Sequence, residues 1–557
     1  MGLSVKKRLS QESLSGACVI KVPERIEMKP EELDALVERV KSGSLHTGDS
    51  QIIESMAETL KFLSSAMDEK NMSIKRLRRI LFGARTEKAE NVLKKDTSGK
   101  RTSGTAEKKK AKGHGRNGAD AYTGAERVVV KHKTLKPGDP CTLCPKGKVY
   151  PMTEPKKVVW VIGQAPLQAT VIELEKLRCN LCQNIFTAEL PEDYGKEKYD
   201  ETTGSMIALL KYGSGFPFNR IEKLQAGFGI PLAASTQWGI VEAKAKKISA
   251  VYDELVRQAA QGEVIHNDDT AIKILEFMSK DEGEYEGKAK PRKGMFTTGV
   301  FSRIGEQKIA LYFTGRKHAG ENMAALLSYR DFDRGPPIQM CDALARNLPK
   351  DFKVLLANCL AHARRRFIDV TEIFPEECRF VIETLKDVYK NEATTKQRGM
   401  SDDERLAYHQ AESGHLMESL KDWLQKRFEQ RKVEPNSSLG EAISYMLKHW
   451  QPLTLFLEVP GAPLDNNLCE QVLKRAILHR KNSLFYKTQN GAYIGDLYMS
   501  LIHSCNLAGV NPFDYLTELE RNSDAAQKNP DRWLPWNYEQ TLAPLARKSP
   551  ADIRKKS

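Results

Sequence analysis

From Glu263 onward the chain switches between two hydrophobic periods in an order that few folds accommodate. Val264 to Leu275 is short, β-branched and apolar at both ends, so it reads as a strand with Asp268 and Asp269 near its middle. Gly294 to Ser302 and Lys308 to Phe313 follow as two further strand-like runs. Glu321 to Tyr329 reads as a helix, Pro337 to Asp342 as a fourth strand ending on an acid, and Lys353 to Ala357 as a fifth. Helical stretches are expected after both of the last two strands.

The order βββαβαβα predicts a ribonuclease-H-like α/β domain within a multidomain α+β chain. In that arrangement the first and fourth strands are neighbours, so Asp268 and Asp342, 74 positions apart, are placed to share one metal site. A third acid is expected on a later helix. Pro463 to Glu470 supplies it, with Asp465 as the expected N-cap and Glu470 about one turn inside. The 127 residues between Asp342 and Glu470 exceed what the basic fold needs. Glu376 to Trp450 is amphipathic, with Leu416, Leu420, Trp423 and Phe428 as an apolar stripe, and predicts an all-α insertion over about 376–455. A chain with 73 acids offers many such triples, so the placement of these three on the predicted elements carries the argument.

The chemistry that three carboxylates suit is phosphoryl transfer with two Mg²⁺ ions, because hard cations prefer oxygen ligands and keep exchangeable waters. Mn²⁺ is expected to substitute. Such sites act on nucleic acid, and the charge agrees: the formal net charge is +14, which favours a polyanionic partner through counterion release. The excess is uneven. Lys94 to Arg116 holds nine Lys or Arg against two acids amid Gly, Ser and Thr, a composition that cannot bury enough apolar surface to fold alone.

Ten cysteines are present, and four stand as Cys141-x2-Cys144 and Cys179-x2-Cys182, with 34 residues between the pairs. Each pair sets two thiolates on one side of a tight knuckle, and two facing knuckles complete the tetrahedral sulfur shell of a structural Zn²⁺. The short β-rich runs around them, Val128 to Val130, Val158 to Ile162 and Thr170 to Leu174, predict a small β module. The other six, Cys18, Cys341, Cys359, Cys378, Cys469 and Cys505, read as core residues or free thiols. No apolar run reaches the length of a membrane span and the first 25 residues lack a secretory h-region, so a cytoplasmic, nucleoid-associated protein is expected.

These readings divide the chain into six parts. Residues 1–93 form a helical N-terminal segment, helical from Glu31 to Glu90, and 94–124 a basic flexible linker. Residues 125–195 form the four-cysteine zinc-binding module and 196–260 a helical bridge. In that bridge Ile221 to Ala226, a Gly227-Phe228-Gly229 turn and Ala233 to Val241 resemble a helix-turn-helix. Residues 261–520 form the catalytic domain, and 521–557 a C-terminal tail.

The flanks of the three acids resemble the insertion-sequence-66 family of bacterial transposases, which use the DDE set of catalytic acids, over nearly the whole chain. Asp268-Asp269-Thr270 stands where that family has D-E-T. Cys359-Leu360-Ala361-His362-Ala363-Arg364-Arg365-Arg366-Phe367 matches its C-x-A-H-x-R-R-x-F segment, and Asp465-Asn466-Asn467 with Glu470, Arg480-Lys481 and Leu484-Phe485 matches its third motif. Phe82-Gly83 with Glu87-Lys88, the CxxC pairs and Leu534-Pro535-Trp536 also resemble the family. Two departures stand out: Asp269 replaces the usual Glu, and Ala343-Leu344 follow Asp342 where the family has Gly and an aromatic. Matching to the motif selects Asp268 as first acid; strand alternation alone leaves Asp269 open.

The resemblance implies a DNA transposase that binds the terminal inverted repeats of a mobile element and carries out strand cleavage and strand transfer. Its implied partners are double-stranded DNA, further copies of itself on that DNA, and helper proteins of the same element. His362, Arg364, Arg365 and Arg366 are expected to contact phosphate, as are Asn466, Asn467, Arg480 and Lys481. His266 reads as a core or supporting residue. The alternatives are a repurposed DNA-binding protein without catalysis and a nuclease of the same fold without strand transfer.

Overall fold

The computed structural model describes residues 30–44, 197–280 and 292–546, with shorter stretches between 46 and 191 that include 134–140, 147–150, 164–178 and 185–191. Two units are distinguished, residues 1–95 and 96–557. In the first, helix α1 (Pro30–Ser42) lies within the predicted helical segment; most of the remainder of that segment, all of the basic linker but Asp120, and all four CxxC cysteines lie outside the described residues.

In the second unit, strands β1 (Lys176–Arg178) and β2 (Ile185–Thr187) pair antiparallel with Arg178 opposite Ile185. The predicted strand at Thr170–Leu174 is not one; the hairpin lies just beyond it. Helix α2 (Glu201–Ala208) runs on through a π-helical turn, Leu209–Gly213. Helices α3 (Phe218–Gly227) and α4 (Ala234–Ala260) are the expected helix pair. The second member differs from a compact recognition helix: it is 27 residues long, and Val241, Ala245, Ile248, Val251, Leu255 and Ala259 along it are buried in the main core.

The sheet contains β3 (Val264–Ala271), β4 (Phe296–Ile304), β5 (Gln307–Gly315), β6 (Ile338–Cys341) and β7 (Leu355–Asn358) in the order β5-β4-β3-β6-β7. The first three strands are antiparallel neighbours, and β6 and β7 add in parallel beside β3. Helix α5 (Ala319–Leu327) links β5 to β6, and α6 (Leu360–Val370) follows β7. The helix expected after the fourth strand is only a 3₁₀ turn, Ala345–Asn347. The insertion is all-helical as expected, comprising α7 (Pro375–Arg398), α8 (Asp402–Glu412), α9 (Gly414–Glu429) and α10 (Ser438–Lys448). On α9 the buried stripe is Met417, Leu420 and Leu424; Leu416, Trp423 and Phe428 are only half-buried, so the face is rotated from the predicted one. Helices α11 (Asn467–Ser483), α12 (Gln489–Ala508) and α13 (Pro512–Arg521) follow.

The free edge of β5 is closed by α12. Ser504 Oγ accepts from Ala310 N at 3.1 Å, Ser500 Oγ from Tyr312 N at 3.1 Å, and Asp496 from Thr314 N at 2.6 Å. Four residues of helix advance about 6 Å, close to the advance of two strand residues, so one polar side chain per turn meets three successive outward-facing amides. An edge that would otherwise template aggregation is thereby capped, and the main core forms between α4, α12 and the sheet.

Candidate active site

The register of two parallel strands brings the first two acids together. Val264, Ile265 and His266 on β3 lie opposite Ile338, Gln339 and Met340 on β6. The same register continued two residues sets Asp268 level with Asp342. Each lies at or beyond the end of the paired segment, where the chain opens to solvent, and both are half-buried.

Asp268 and Asp269 have opposite environments, as strand alternation requires. Asp269 Oδ1 accepts from Thr298 Oγ1 at 2.7 Å, and its Oδ2 accepts from the Ala319 amide at 2.9 Å, at the first residue of α5. His318 Nδ1 lies 3.4 Å from the same oxygen. Asp269 thus ties a helix N-terminus to the sheet. Asp268 instead faces other acids. Its carboxyl is pushed up to about 7, first by burial and then by the charges of Asp342, Asp269 and Glu470, against the lowering effect of the Asp269 amide that donates to it at 2.8 Å. The Asp342 carboxyl is also raised, chiefly by burial, with His362 opposing. Asn347 Nδ2 donates to Asp342 Oδ1, and the Asn347 carbonyl accepts from Asn267 and Gln339 at 2.8 and 2.7 Å. Asn347 had no distinguishing signal in the sequence, since it lies in a loop five positions after the acid.

Glu470 reaches this place because α11 packs directly on β4. Gly299, the residue opposite Asp268, has no side chain to obstruct it: a Cβ there would come within 2.8 Å of Leu473. Cys469 Sγ lies 3.2 Å from the Gly299 carbonyl. Glu470 is in the first turn of the helix, and His362 Nε2 on α6 stands 3.7 Å from its Oε1.

The start of α11 differs in detail from the sequence expectation. Asn466, not Asp465, occupies the cap position, and it makes no side-chain cap bond. Its side chain turns inward, fully buried: Oδ1 lies 3.0 Å from His266 Nδ1 and Nδ2 donates to the Asn267 carbonyl at 3.2 Å. A buried Asn with both ends engaged by protein does not contact phosphate, so that expectation is corrected. Asp465 accepts from the Asn467 amide and side chain at 3.1 and 2.8 Å, which serves the helix start in place of the cap. The insertion braces the same loop: Arg405 donates to the Ala462 carbonyl at 2.9 Å and to Glu392 at 2.8 Å, and buried His409 lies 3.0 Å from Glu392.

Of the residues expected to meet phosphate, His362 stands at the acids, and Arg364 and Arg365 are half-buried on the same helix. Arg366 stacks over Tyr445 at 3.9 Å. Arg480 is committed to protein, donating to Thr270 Oγ1 at 2.9 Å and to the Ala271 carbonyl, which pins the far end of α11 to the end of β3. Lys481 and Asn467 are exposed. Cys341, Cys359, Cys378, Cys469 and Cys505 are free and buried, as expected of core thiols. Among the described residues no three His, Cys, Asp or Glu side chains form a ready-made metal cage. Asp342 and Glu470 are close enough for their charges to act on Asp268, without the three acids closing into a shell.

The site is therefore an acid-bearing mixed sheet with a helix laid across it, within a chain whose net charge favours polyanions. Residues 196–494, more than half of the chain, match the family described as Transposase IS66 family, and the chain belongs to that family. Relatives occur in Sinorhizobium fredii (strain NBRC 101917 / NGR234). The chain is similar to "Uncharacterized protein y4jD", 26% identical over 428 residues (73% of this chain, 79% of that one). It is likewise similar to "Uncharacterized protein y4hP", 26% identical over 446 residues (75% and 76%), and to "Uncharacterized protein y4qI", 23% identical over 351 residues (60% and 61%). Among the described residues no helix is long and apolar enough to cross a membrane.

Proposed function

We propose that the chain is a DNA transposase that binds the ends of a mobile element and catalyses their cleavage and strand transfer, with Asp268, Asp342 and Glu470 as its catalytic acids. The observation that supports this reading is the parallel register that sets Asp268 level with Asp342, together with the charge of Glu470 acting on Asp268. The strand order supports a ribonuclease-H-like catalytic domain over 261–520 interrupted by the helical insertion.

The donor set fits divalent cations. Three half-buried carboxylates whose charges oppose one another form a site that a hard cation relieves, and oxygen is the ligand Mg²⁺ or Mn²⁺ prefers. Asp268, Asp342 and Glu470 would hold two such ions. When bound, they supply an activated attacking hydroxyl or water and stabilise the leaving 3′-oxygen. The protein's own part is positional. Asn466 and Gly299 fix the Glu470 helix, Asn347 orients Asp342, and His362 stands beside Glu470 where it can hold a phosphate oxygen against the site. Arg364, Arg365 and Lys481 extend that grip along the strand.

The N-terminal part belongs to end recognition in this reading. The antiparallel bridge Pro140↔Lys148 brackets Cys141 and Cys144 in the sequence, and β1–β2 brackets Cys179 and Cys182. A pairing on either side of each CxxC in the sequence supports a structural Zn²⁺ site with Cys141, Cys144, Cys179 and Cys182 as its four ligands.

The test is strand transfer by purified protein on DNA from the element ends in Mg²⁺, comparing wild type with Glu470→Gln. Joined products that vanish in the variant support the reading. Free cut ends without joining identify a nuclease, and tight end binding with no cleavage, even in Mn²⁺, identifies a DNA-binding protein only.

A further inference from the structure

Two non-glycine residues among those described have positive φ, Arg431 and Leu484. Arg431, at φ 52°, follows a helix end, where the left-handed conformation is common. Leu484 is different: φ is 67° and ψ is −41°, outside the left-handed helical well, and the Ser483 carbonyl accepts from the Phe485 amide at 2.8 Å. This is the γ-turn of the rare, strained hand, centred on a branched side chain. Burial does not account for it, because Leu484 is 65% exposed and Phe485 38% exposed.

The surroundings hold the turn from both sides. Lys211 Nζ, on the π-helical turn after α2, donates to Ser483 Oγ at 2.7 Å. Beyond the turn, buried Tyr486 bridges to Ile274, its amide donating to the Lys273 carbonyl at 2.9 Å. Arg480, one turn before the tip, is bonded to Thr270, two residues along β3 from Asp268 and so about 7 Å from it along the strand. The fold thus forces an apolar tip into solvent at the end of the strand that carries the first acid. Beside it lies a cleft of about 570 Å³ lined by Lys273, Arg480, Lys481 and the tip itself, with no acid in its lining. Strain maintained at an exposed apolar residue indicates a use for the exposed side chain.

We propose that Leu484 and Phe485 are a wedge that enters duplex DNA beside the scissile phosphate and unstacks one base step, while Lys273 and Lys481 hold the flanking phosphates. This rests on the transposase reading above. An apolar wedge between cations is how proteins open a base step in DNA. A second copy of the chain fits less well, since a two-fold contact on this patch sets Lys273, Arg480 and Lys481 against their own equivalents. Opening the step frees the strand to approach Asp268, Asp342 and Glu470.

The test uses full-length protein and a duplex joining the element end to its flank, with 2-aminopurine placed in turn at each base near the cleavage position, in Ca²⁺ so that no strand is cut. Wild type is expected to raise the fluorescence about threefold or more at one step. Leu484→Gly, which relaxes the backbone while removing the side chain, is expected to abolish that rise with DNA affinity within a few fold. In Mg²⁺ the same variant is expected to cut paired duplex at least about tenfold more slowly and to recover on a duplex mismatched at that step. Mismatch rescue separates a wedge from a merely structural residue. Cleavage by wild type without fluorescence change at any step would overturn the wedge and leave the transposase reading standing. A DNA-free dimer lost in Leu484→Gly, with unstacking unaffected, would assign the patch to self-association instead. Failure of wild type to bind the duplex at all would overturn both.

Discussion

Asn466 Oδ1 lies 3.0 Å from His266 Nδ1, which joins the start of the Glu470 helix to the strand that carries Asp268. Asn466 Nδ2 donates to the Asn267 carbonyl, so its oxygen must face the histidine, and His266 is the donor. Burial lowers the His266 pKa to about 4, so the ring is neutral with its proton on Nδ1. Asn466→Ala strands that donor and the Asn267 carbonyl, and is expected to cost about 1–3 kcal/mol. Its effect on cleavage is expected to exceed its effect on end binding, because it releases Glu470 rather than a DNA contact. Denaturant melts alongside cleavage and binding assays check both parts; equal losses in cleavage and binding would contradict the assignment.

The adjacent acids Asp268 and Asp269 are expected to separate cleanly. Asp268→Asn removes a carboxylate whose ionisation burial and like charges disfavour, so the folded protein keeps or gains stability above pH 7 while strand cleavage is lost. Asp269→Ala removes the acceptor for Thr298 and the α5 amide, with an expected cost of about 1–3 kcal/mol. Cleavage measured below its lowered melting temperature is expected to persist. Full activity in Asp268→Asn would remove it from the site.

Asp496 gives the edge-capping helix a pH dependence. Burial raises its pKa to about 7 in the fold despite two hydrogen bonds from Thr314, whereas the unfolded chain titrates near the ordinary value of about 4. The folded state therefore binds more protons between those limits, and this group's contribution is fully present below about pH 4 and lost as pH rises to about 7. Asp496→Asn can still accept from the Thr314 amide and donate to its hydroxyl. It is expected to flatten the decline over that range and to raise stability at pH 8, on the order of a few kcal/mol at most. Melting temperatures from pH 4 to 8 for both proteins check it; an unchanged slope would mean that Asp496 does not titrate in this window.

Zinc is expected at one ion per chain, lost on Cys141→Ser or Cys179→Ser. Elemental analysis of purified protein checks the stoichiometry. End binding is expected to fall with the metal while cleavage of pre-bound short ends is less affected. Metal-free wild type with full end binding would remove the zinc from recognition.

The succession of strands along the chain and the helical character of the insertion were legible in the sequence, because each is written in a local period: β-branched runs for the strands, and three- and four-residue apolar spacing for α9; the helix expected after the fourth strand was not, being only a 3₁₀ turn. The relation of Asp268 to Asp342 was partly legible, since the order of elements implies that their strands are neighbours. Tertiary structure decided the rest. Whether Asp268 or Asp269 faces the other acids depends on Thr298 and the Ala319 amide, 29 and 50 positions away. Whether Asn466 meets solvent or His266 depends on a partner 200 positions earlier. The buried stripe on α9 departs from the expected one because amphipathicity gives a face only within tens of degrees, and the neighbouring helices choose which part of it is buried. The alignment of Ser504, Ser500 and Asp496 with the β5 edge leaves no mark in a local pattern, for each residue is an ordinary polar helix residue until a strand lies beside it. Local chemistry fixed which segments form strands and helices; which side chains share a site was set by packing across long loops.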